Sequence, residues 1–552
     1  MTLSVHTTRL LILIALSLCS ETLAAETTRY VVAGTVVDSS TAQPLAGISV
    51  SLAPDRTGGH SQTVHTSHDG GFRFAAVPGG KYVLSGSGPG YRPQGLDQHR
   101  YYFTGLAVGP DLDTSKVVFR LQPDASIRGQ VLDDQNEPVR NATVQLFTVD
   151  DSDGIRRTVA TTNVGTDDQG YYHFPHLEPG TYYVAVSARP WYAQYSPQRS
   201  DRSQPMQLLD GDTARAHSEA AQLDVAYPLT FYPDTDDSAQ ASAITLHAGE
   251  RATADVVMRA VPAAHLRIRS GTTSEHSSVP RIMQRVFDDY LVPVLASQGF
   301  GYSQGMYEFA GLAPGHYVLE MPGSNPGDAG SKAGWFREVD LSGDVEVSSD
   351  ESLPMANVAG AVVYQGAAPP AESMYLELHS SSSGDGWTGQ ISHKGLFGLK
   401  DNEIRPGTYE IKLYGASGWF VNGITAQNAK VQGMQVTIAS GASVRLICNA
   451  IRAVSSLRGV VQVGDQPLAG AMVLLVPDDR AHISQRYRRD QSDSDGSFTL
   501  REVLPGHYTA IAIQNGWNLE WENPQVLKPY LAKGEKITVS TSQNASLKIQ
   551  AQ

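Results

Sequence analysis

The chain has 552 residues, a formal net charge of −14, 41% hydrophobic residues and only 18% charged residues. A domain commonly holds about 100–150 residues, so this length predicts four or five domains rather than one. The hydrophobic content is too high for general disorder. The acidic balance excludes the basic stripe that a nucleic-acid-binding protein needs, so we expect no nucleic-acid partner.

The amino terminus has the pattern of a secretory signal. An apolar run at residues 10–18 precedes small residues at 22–25 that suit signal-peptidase cleavage. Nine apolar residues are too few to span a bilayer, so we predict a removable signal peptide over residues 1–25. An uncleaved anchor is the alternative, and lipid attachment at Cys19 is less favoured because a bulky leucine precedes it. Cys448 is then the only cysteine of the mature chain, which excludes an intramolecular disulfide.

Self-similarity is the strongest pattern in the sequence. A glycine-containing turn leads to a tyrosine five times, at Tyr82, Tyr182, Tyr317, Tyr409 and Tyr508. A glycine precedes this tyrosine by a nearly constant spacing in every copy, at Gly70, Gly170, Gly305, Gly395 and Gly496. The residues between them alternate between aromatic and polar, which is typical of a half-buried strand. Each glycine-to-tyrosine block therefore predicts a β-hairpin closed by a Pro-Gly or Gly-Gly turn.

The beginning of each repeat is less uniform. A Gly-x-Val strand followed by a proline-containing turn is clear at Gly34, Gly129 and Gly459, whereas the third repeat lacks the turn. We count about seven short strands per repeat. We find no convincing amphipathic helix longer than two or three turns, and the best candidate, the segment from Met283 to Leu295, is interrupted by Pro293.

These patterns predict an all-β chain of about five tandem Ig-like or transthyretin-like β-sandwich domains after a signal peptide. Unit 3 is the most degenerate, and unit 2 contains a long loop. The predicted boundaries are 1–25 for the signal peptide, 26–123 for unit 1, 124–262 for unit 2, 263–352 for unit 3, 353–452 for unit 4 and 453–552 for unit 5.

The combination of Gly-x-Val, Pro-Leu-x-Gly (Pro44 to Gly47) and Pro-Gly-x-Tyr (Pro505 to Tyr508) resembles the carboxypeptidase regulatory-like domain. That family is a transthyretin-like β-sandwich related to CnaB modules. The resemblance covers units 1, 2 and 5 well, unit 4 moderately and unit 3 weakly. It implies an exported protein of environmental bacteria that carries such domains without a catalytic partner. Related modules also serve carboxypeptidases, outer-membrane transporters and surface stalks, so the fold does not decide the function.

Three motifs could suggest chemistry, and each also has a structural interpretation. Ser303 lies in a Gly-x-Ser-x-Gly pattern, but a nucleophile elbow needs a strand–turn–helix context, whereas a β-strand follows here. His247 and Glu250 have a zinc-ligand spacing, yet they read more simply as a turn between strands. The run from Asp493 to Gly496 resembles a calcium loop, although an aspartate in such a turn usually bonds to its own backbone.

An aromatic residue follows the tyrosine strand in every unit, at Tyr91, Trp191, Trp335, Trp419 and Trp517. We favour a structural role for these residues, as packing at the end of each sandwich. The aromatic residues that are locally dense in loops form the best candidate ligand-binding surface, and these are Tyr101, Tyr102, Phe103, Trp191, Tyr192, Tyr195, Trp517 and Trp521.

We therefore predict an exported, non-catalytic binding or structural protein of the bacterial cell envelope, without catalytic residues, cofactor or metal. The expected location is secreted, periplasmic or cell-surface, with no transmembrane segment in the mature chain. A polysaccharide or a cell-envelope protein is the expected partner. The alternative is a carbohydrate-binding or accessory subunit of an exported hydrolase or an outer-membrane transporter, and a third hypothesis is a hydrolase using Ser303 or His247.

Overall fold

The structure, a computed structural model, describes most of residues 28–552. The described residues are 28–55, 60–152, 154–194, 223–269, 279–287, 290–294, 300–303, 306–323, 334–348, 351–366, 374–380, 386–399, 404–479, 485–541 and 544–552. The predicted signal peptide and Tyr195 lie outside these ranges.

Unit 1 is a sandwich of two sheets. Its strands are β1 (Arg29–Asp38), β2 (Ser49–Pro54), β3 (Gln62–His65), β4 (Gly71–Pro78), β5 (Gly80–Gly88), β6 (Tyr91–Gly95), β7 (Leu106–Val108) and β8 (Val117–Leu121). One sheet has the order β4-β1-β8, and the other has the order β3-β2-β5-β6 with β7 also paired to β5.

Unit 2 repeats this plan with additional short strands. Its strands are β9 (Ala125–Asp133), β10 (Thr143–Asp150), β11 (Arg157–Gly165), β12 (Tyr171–Leu177), β13 (Gly180–Ser187), β14 (Val225–Ala226), β15 (Thr230–Phe231), β16 (Ile244–Leu246), β17 (Arg251–Thr253), β18 (Val256–Met258) and β19 (Val261–Pro262). The sheets run β12-β9-β17, with β18 also on β9, and β11-β10-β13-β15, with β16 also on β13; β14 pairs with β19.

Unit 3 has nine described strands. They are β20 (Ala264–Arg269), β21 (Arg281–Val286), β22 (Tyr290–Pro293), β23 (Phe300–Ser303), β24 (Met306–Leu312), β25 (Gly315–Met321), β26 (Trp335–Leu341), β27 (Val345–Ser348) and β28 (Leu353–Pro354). The sheets run β23-β24-β20-β27 and β22-β21-β25-β26-β28. Strand β28, which the sequence assigned to unit 4, pairs with β26 and completes the sheet of unit 3.

Unit 4 also has nine described strands. They are β29 (Asn357–Tyr364), β30 (Tyr375–Ser380), β31 (Gly386–Gln390), β32 (Leu396–Gly398), β33 (Gly407–Tyr414), β34 (Trp419–Gln427), β35 (Ala429–Gln432), β36 (Gln435–Ile438) and β37 (Ser443–Arg452). The sheets run β32-β29-β37-β34 and β31-β30-β33-β36-β35.

Unit 5 adds a short helix to the sandwich. Its elements are β38 (Ser455–Val463), β39 (Gln466–Pro467), β40 (Met472–Pro477), β41 (Arg488–Gln491), β42 (Ser497–Val503), β43 (Gly506–Ile513), α1 (Pro524–Leu531), β44 (Glu535–Val539) and β45 (Asn544–Gln550). The sheets run β39-β38-β42, with β45 also on β38, and β41-β40-β43-β44.

All five units share one topological feature. The first strand of each unit lies parallel to a strand near the end of that unit: β1 to β8, β9 to β17 and β18, β20 to β27, β29 to β37, and β38 to β45. The other strand pairs of the described chain are antiparallel. The predicted all-β class with repeated sandwich domains is confirmed.

The described residues of the segment from Met283 to Leu295, the best helix candidate of the sequence, form no helix. The segment forms strands β21 and β22, which pair with each other while β21 also pairs with β25. These long-range pairings outweigh the local pattern, and Pro293 is tolerated because it ends an edge strand. The helix that does form among the described residues, α1, has Asn523 as its N-cap, accepting a hydrogen bond from the Gln525 amide. No helix of the described residues is long and apolar enough to cross a membrane.

Each unit has its own hydrophobic core between its two sheets. The alternation along β9, with Ile127 and Val131 inside, shows how the period of two buries one face of a strand. Strand β40 is different because all six of its residues are buried. Its outer face packs against Trp521 and Leu527, so the segment around α1 covers a sheet face that would otherwise meet water.

Candidate functional site: unit junctions and exposed aromatic residues

The repeated tyrosines have one common structural role. In every unit the hydroxyl donates a hydrogen bond to the backbone carbonyl four residues upstream, at 2.6–2.9 Å, and the tyrosines are Tyr82, Tyr182, Tyr317, Tyr409 and Tyr508. All five side chains are buried. The motif therefore fixes the turn before the strand, and it is a folding element rather than a binding site.

The Gly-x-Val glycines are also structural. A Cβ on Gly34, Gly129, Gly360 or Gly459 would lie within 1.9–2.5 Å of a carbonyl oxygen on the parallel partner strand. Only glycine lets the two backbones approach this closely. The equivalent position of unit 3 is Ile268, which pairs with Tyr307. In the other four units a glycine pairs with an aromatic residue at this position. This substitution agrees with the weaker repeat pattern of unit 3.

The serine motif does not have the context of a nucleophile elbow. Ser303 is the last residue of β23, which pairs antiparallel with β24 through Ser303 and Met306. The chain therefore passes from strand to strand at this point, whereas the elbow requires a strand followed by a helix. Gly305 lies outside the described residues.

The histidine–glutamate pair lies in an exposed turn between β16 and β17. The backbone amide and the Nδ1 atom of His247 both lie 2.8 Å from Glu250 Oε2. The hydrogen bonds from the amide and the ring of His247 hold the pKa of Glu250 below its usual value. The described part of the chain contains no group of three or more His, Cys, Asp or Glu residues arranged to hold a metal ion.

The aspartate turns behave largely as the sequence predicts. Asp69 Oδ1 accepts a hydrogen bond from the Gly71 amide, and Asp495 Oδ1 accepts one from the Ser497 amide. In unit 2 the acceptor is Asp167 rather than its neighbour Asp168. The aspartate side chain therefore stabilises the turn through an Asx-type hydrogen bond.

The aromatic residues after the tyrosine strand are packed in most units. Trp335 and Trp419 are each only 6% exposed, and Trp419 contacts Tyr364 edge to face with 5.2 Å between ring centres. In unit 1 the hydroxyl of Tyr91 donates to Asp38 Oδ2 at 2.6 Å. These contacts support the structural interpretation of the repeated aromatic residues.

Trp191 is the exception, because 72% of its surface is exposed. Its neighbour Tyr192 is half-buried and lies edge to face with it, with 5.7 Å between ring centres. Tyr192 also bonds to Tyr227, and burial raises the pKa of both phenols. Tyr192 therefore packs into the end of the sandwich, while the Trp191 ring stays in solvent.

Trp517 and Trp521 are not part of an open binding surface, so this aspect of the prediction needs correction. Trp521 is 7% exposed and belongs to the apolar cluster under α1. The Trp517 ring stacks on His99 of unit 1, with 4.8 Å between ring centres and 10° between planes. The physical reason is that unit 1 lies against unit 5 and covers the Trp517 indole, whereas Trp521 is buried within unit 5; no local pattern reveals either contact.

Strand β41 and the turn after it make the contacts with unit 1. Gln491, 1% exposed, donates through Nε2 to the Asp97 carbonyl at 2.7 Å and to Thr104 Oγ1 at 2.9 Å. The Gly105 amide donates to Asp493 Oδ1 at 3.0 Å, and the Ser494 amide donates to the Gly105 carbonyl at 2.9 Å. The turn that resembles a calcium loop is thus a docking element between units.

An ion pair accompanies these backbone contacts. Lys81 Nζ pairs with Asp493 Oδ2 and also lies 2.6 Å from Ser497 Oγ. Burial raises the pKa of Asp493 above its usual value, and the Lys81 ammonium opposes that rise. Burial also raises the pKa of nearby Asp490 to about 6.

Unit 5 also contacts unit 2. Arg489 donates to the Ser152 carbonyl at 3.1 Å, and its guanidinium carbon lies 4.8 Å from the Tyr102 ring centre and 5.0 Å from that of Trp521. The Glu522 amide donates to the Gly154 carbonyl at 3.1 Å. Units 1, 2 and 5 therefore meet around one arginine that is held between aromatic rings.

Arg488, the residue before Arg489 in β41, contacts unit 4. Arg488 donates to the carbonyl of Glu502, and its guanidinium carbon lies 4.4 Å from the ring centre of Phe420 in unit 4. The Val421 amide donates to Gln485 Oε1 at 3.2 Å. Because successive side chains of a strand point to opposite sides, β41 can contact unit 4 on one side and units 1 and 2 on the other.

The remaining neighbours are joined by other contacts. Phe287 of unit 3 packs on Phe147 and Tyr183 of unit 2, with 5.1 Å and 4.8 Å between ring centres. Arg405 of unit 4 pairs with Glu320 of unit 3 at 2.8 Å. Unit 1 joins unit 2 through Arg100, which pairs with Asp150 and Asp151. Each unit thus contacts the next, and the first unit contacts the last.

Comparison with known proteins agrees with the repeat pattern. Residues 31–119 and 126–217 match the family model of the carboxypeptidase regulatory-like domain. The match covers units 1 and 2, where the motifs predict this resemblance most clearly.

Two curated relatives match a small part of the chain. Colossin-A of Dictyostelium discoideum is 28% identical over 165 residues, which covers 26% of this chain and 1% of that protein. Serine-aspartate repeat-containing protein D of Staphylococcus aureus (strain Newman) is 29% identical over 163 residues, which covers 26% of this chain and 12% of that protein. The chain therefore aligns with only a small fraction of the length of these relatives.

Two solved structures also align. The Bacillus anthracis TIE protein gives a TM-score of 0.17 at 12% identity and covers 99% of this chain and 78% of its own. A streptococcal ancillary pilin gives a TM-score of 0.19 at 8% identity and covers 52% of this chain and 98% of its own. At these TM-scores the alignments carry no argument about function.

Proposed function

We propose that the chain is an exported, non-catalytic binding or structural protein of the bacterial cell envelope. One observation supports this most directly. The polar and aromatic residues of unit 5 that the sequence suggests as a metal or ligand-binding site are instead used in contacts between domains or are buried. Asp493 accepts from Gly105, Trp517 stacks on His99, and Trp521 is buried. Residues committed to such contacts stabilise an arrangement of domains and do not face a ligand.

The location is part of the proposal. The apolar run at residues 10–18 and the small residues that follow support export. The test is to fuse residues 1–25 to a reporter that is active only outside the cytoplasm. An active, cleaved reporter supports export, and an inactive, cytoplasmic reporter contradicts it.

Trp191 supports carbohydrate binding as the more specific form of this function. A large, exposed indole provides an apolar face on which a sugar ring can stack, and tryptophan is enriched among residues that dominate binding energy. The matching tryptophans of units 3 and 4 are buried, so the repeat itself does not require this exposure. Tyr192 supports the ring from the side.

A polysaccharide array probed with residues 26–552 tests this assignment. We expect binding that Trp191→Ala abolishes and that Tyr414→Ala preserves, because Tyr414 is also exposed, at 48%, but belongs to unit 4. A protein that binds no polysaccharide, or that binds equally well with Trp191→Ala, contradicts carbohydrate binding at this surface.

The non-catalytic assignment has its own test. The wild-type chain and a Ser303→Ala variant are assayed against a panel of ester and peptide substrates. We expect no turnover by either protein. Turnover that disappears in the variant would identify a hydrolase and overturn the proposal.

A further inference from the structure

We propose that unit 1 carries a binding site for acidic polysaccharides on the outer face of its β4-β1-β8 sheet. An open trough of about 710 Å³ lies there, and Ala33, Thr35, Arg73 and Lys116 are among its lining residues. Ligand sites commonly have volumes of about 300–1,000 Å³. The inference rests on the proposed binding role of the chain and adds a site that is separate from Trp191.

Small side chains form the floor of the trough. Val32 and Val36 of β1 are fully buried. Because side chains alternate along a strand, Ala33 and Thr35 lie on the outer face. Gly71 of β4 pairs with Thr35 and has no side chain to fill the space beside it. The middle of the sheet is therefore low, and longer side chains on both sides of it form the walls.

Two cations flank this floor. Arg73 alternates with buried phenylalanines in β4, and its backbone pairs with Ala33. Lys116 comes one residue before Val117, which pairs with Gly34. Neighbouring strands lie about 4.8 Å apart, so the backbones of Arg73 and Lys116 are separated by about 10 Å, one on each side of Ala33.

Both cations are available to a ligand. Among the described residues Arg73 forms no side-chain hydrogen bond or ion pair, and Lys116 has only Asp113, at 3.9 Å. The carboxylate of Asp69, which also lines the trough, is held by the Ser67 hydroxyl at 2.6 Å. The positive charge of Arg73 is therefore not neutralised within unit 1.

The net charge of unit 1 also differs from that of the other units. Residues 26–123 contain eight Lys and Arg against seven Asp and Glu, which gives a net charge of +1, whereas the whole chain has −14. The acidic residues are therefore concentrated in units 2 to 5. An anionic polymer meets the least repulsion at unit 1.

The open floor distinguishes unit 1 from the other units. At the position of Ala33, units 2, 3 and 5 carry an arginine, and these residues are Arg128, Arg267 and Arg458. Unit 4 keeps an alanine there, but Gly398 pairs with it in place of Arg73. The matching trough of unit 2 is accordingly smaller, at about 370 Å³. Unit 1 thus combines a small floor residue with a flanking arginine.

This arrangement fits carboxylates that recur along an extended polymer. An arginine binds a carboxylate through two parallel N–H bonds, and a lysine binds one as a point charge. A polysaccharide with carboxylates at intervals can pair with both cations while its sugar rings lie on the floor and on Val118, which is 46% exposed. An anionic membrane is less favoured, because a flat bilayer cannot enter a trough.

Binding of residues 26–552 to immobilised polygalacturonate, alginate and hyaluronate tests this inference. We expect binding to at least one of these polymers at low ionic strength, and weaker binding as added salt screens the charges. Esterification of the carboxylates of that polymer should abolish binding. Failure to bind any of the three, or equal binding to the esterified form, overturns the proposal. Binding to vesicles of anionic phospholipid without binding to the polymers overturns it as well.

Charge variants locate the site. Arg73→Gln should weaken binding about tenfold or more, because it removes charge-assisted hydrogen bonds. Adding Lys116→Gln should weaken binding further. The matched control is Lys430→Gln, which removes an exposed lysine of unit 4 and should bind as the wild type does. Equal weakening by Arg73→Gln and Lys430→Gln would show general attraction to the protein surface and contradict a site in the trough.

A further variant tests the floor without changing the charge. Ala33→Phe fills the space between the two cations, so it should abolish binding although both cations remain. Undiminished binding by a folded Ala33→Phe protein overturns the proposal, and if unit 1 unfolds in this variant, Arg73→Gln decides the question alone. Trp191→Ala should bind the acidic polymers as the wild type does. Neutral glycans therefore report on Trp191 and acidic ones on the trough, so the failure of either site is distinguishable.

Discussion

The imidazole of His99 lies nearly parallel to the indole of Trp517, with 4.8 Å between ring centres, although the two residues belong to the first and last units. Tyr102 adds a second ring, 5.3 Å from the same indole. Stacking of this kind contributes about 0.5–1.5 kcal/mol beyond the area it buries. The first and last of the five sandwiches are therefore in contact, and the domains do not form an extended row.

Removal of the repeated tyrosine hydroxyl should destabilise the unit that contains it. Tyr508 is fully buried and donates to the Leu504 carbonyl at 2.8 Å, so Tyr508→Phe leaves a buried carbonyl without that donor. We expect the free energy of unfolding of unit 5 to fall by about 1–3 kcal/mol. Urea denaturation monitored by tryptophan fluorescence measures this change. Tyr101→Phe, at an exposed tyrosine, should leave the midpoint unchanged, and equal effects of the two substitutions would contradict the assigned role.

Two neighbouring glycines of unit 4 should differ in their tolerance of alanine. A Cβ on Gly360 would lie 2.1 Å from the Leu446 carbonyl oxygen, whereas a Cβ on Gly398 would meet nothing within 4 Å. Gly360→Ala should therefore lower the unfolding free energy by about 3 kcal/mol or more through overpacking, while Gly398→Ala should change it little. Thermal denaturation of the two variants checks the difference. A stable Gly360→Ala protein would show that β29 and β37 are not as close as described.

Cys448, the one cysteine of residues 26–552, should be chemically inert in the folded protein. Cys448 is fully buried in unit 4, and burial raises the pKa of its thiol to about 12. The thiolate is the reactive form, so almost none is present at pH 8. We expect no reaction with a thiol-specific chromogenic reagent until denaturant is added, after which one thiol per chain should react. Rapid labelling of the native protein would show that this core is open to solvent.

The contact between units 2 and 3 should depend on one aromatic side chain. Phe287 lies 5.4 Å from Phe231 and contacts two further rings of unit 2. Phe287→Ala should lower the stability of this pair of units by about 2 kcal/mol, less than for a fully buried phenylalanine because the side chain is half-buried. Differential scanning calorimetry measures the shift. Val279→Ala, at an exposed apolar residue of unit 3, provides the control and should not shift the transition.

The repeats could be predicted from the sequence because each is defined by local geometry. The turn glycine, the tyrosine and the alternating strand between them all lie within about fifteen residues. Their spacing therefore predicts the hairpin directly. The unit around Ile268 was the hardest to recognise because it lacks the glycine that marks the parallel pair elsewhere. The segment after Met283 forms strands because pairing with a distant strand, β25, outweighs the local pattern.

The unit junctions could not be predicted. Trp517 and Trp521 are dense in a loop, and density alone does not distinguish an open surface from a contact between domains. The partner residues, such as His99 and Gly154, lie in other units, and nothing in their local sequence marks them. The one available hint was the cluster of arginines at the beginning of β41, since charged residues next to aromatic ones often serve an interface.

Small-angle X-ray scattering from residues 26–552 at pH 5 tests the closed five-unit arrangement most directly. A single compact body of this length has a radius of gyration of about 24 Å, and five closed sandwiches should exceed that only moderately. Five sandwiches placed end to end, each about 30 Å long, would form a rod of about 150 Å with a radius of gyration above about 40 Å. We expect a compact, globular scattering profile at pH 5, and a rod-like profile at that pH would contradict the closed arrangement of the five units.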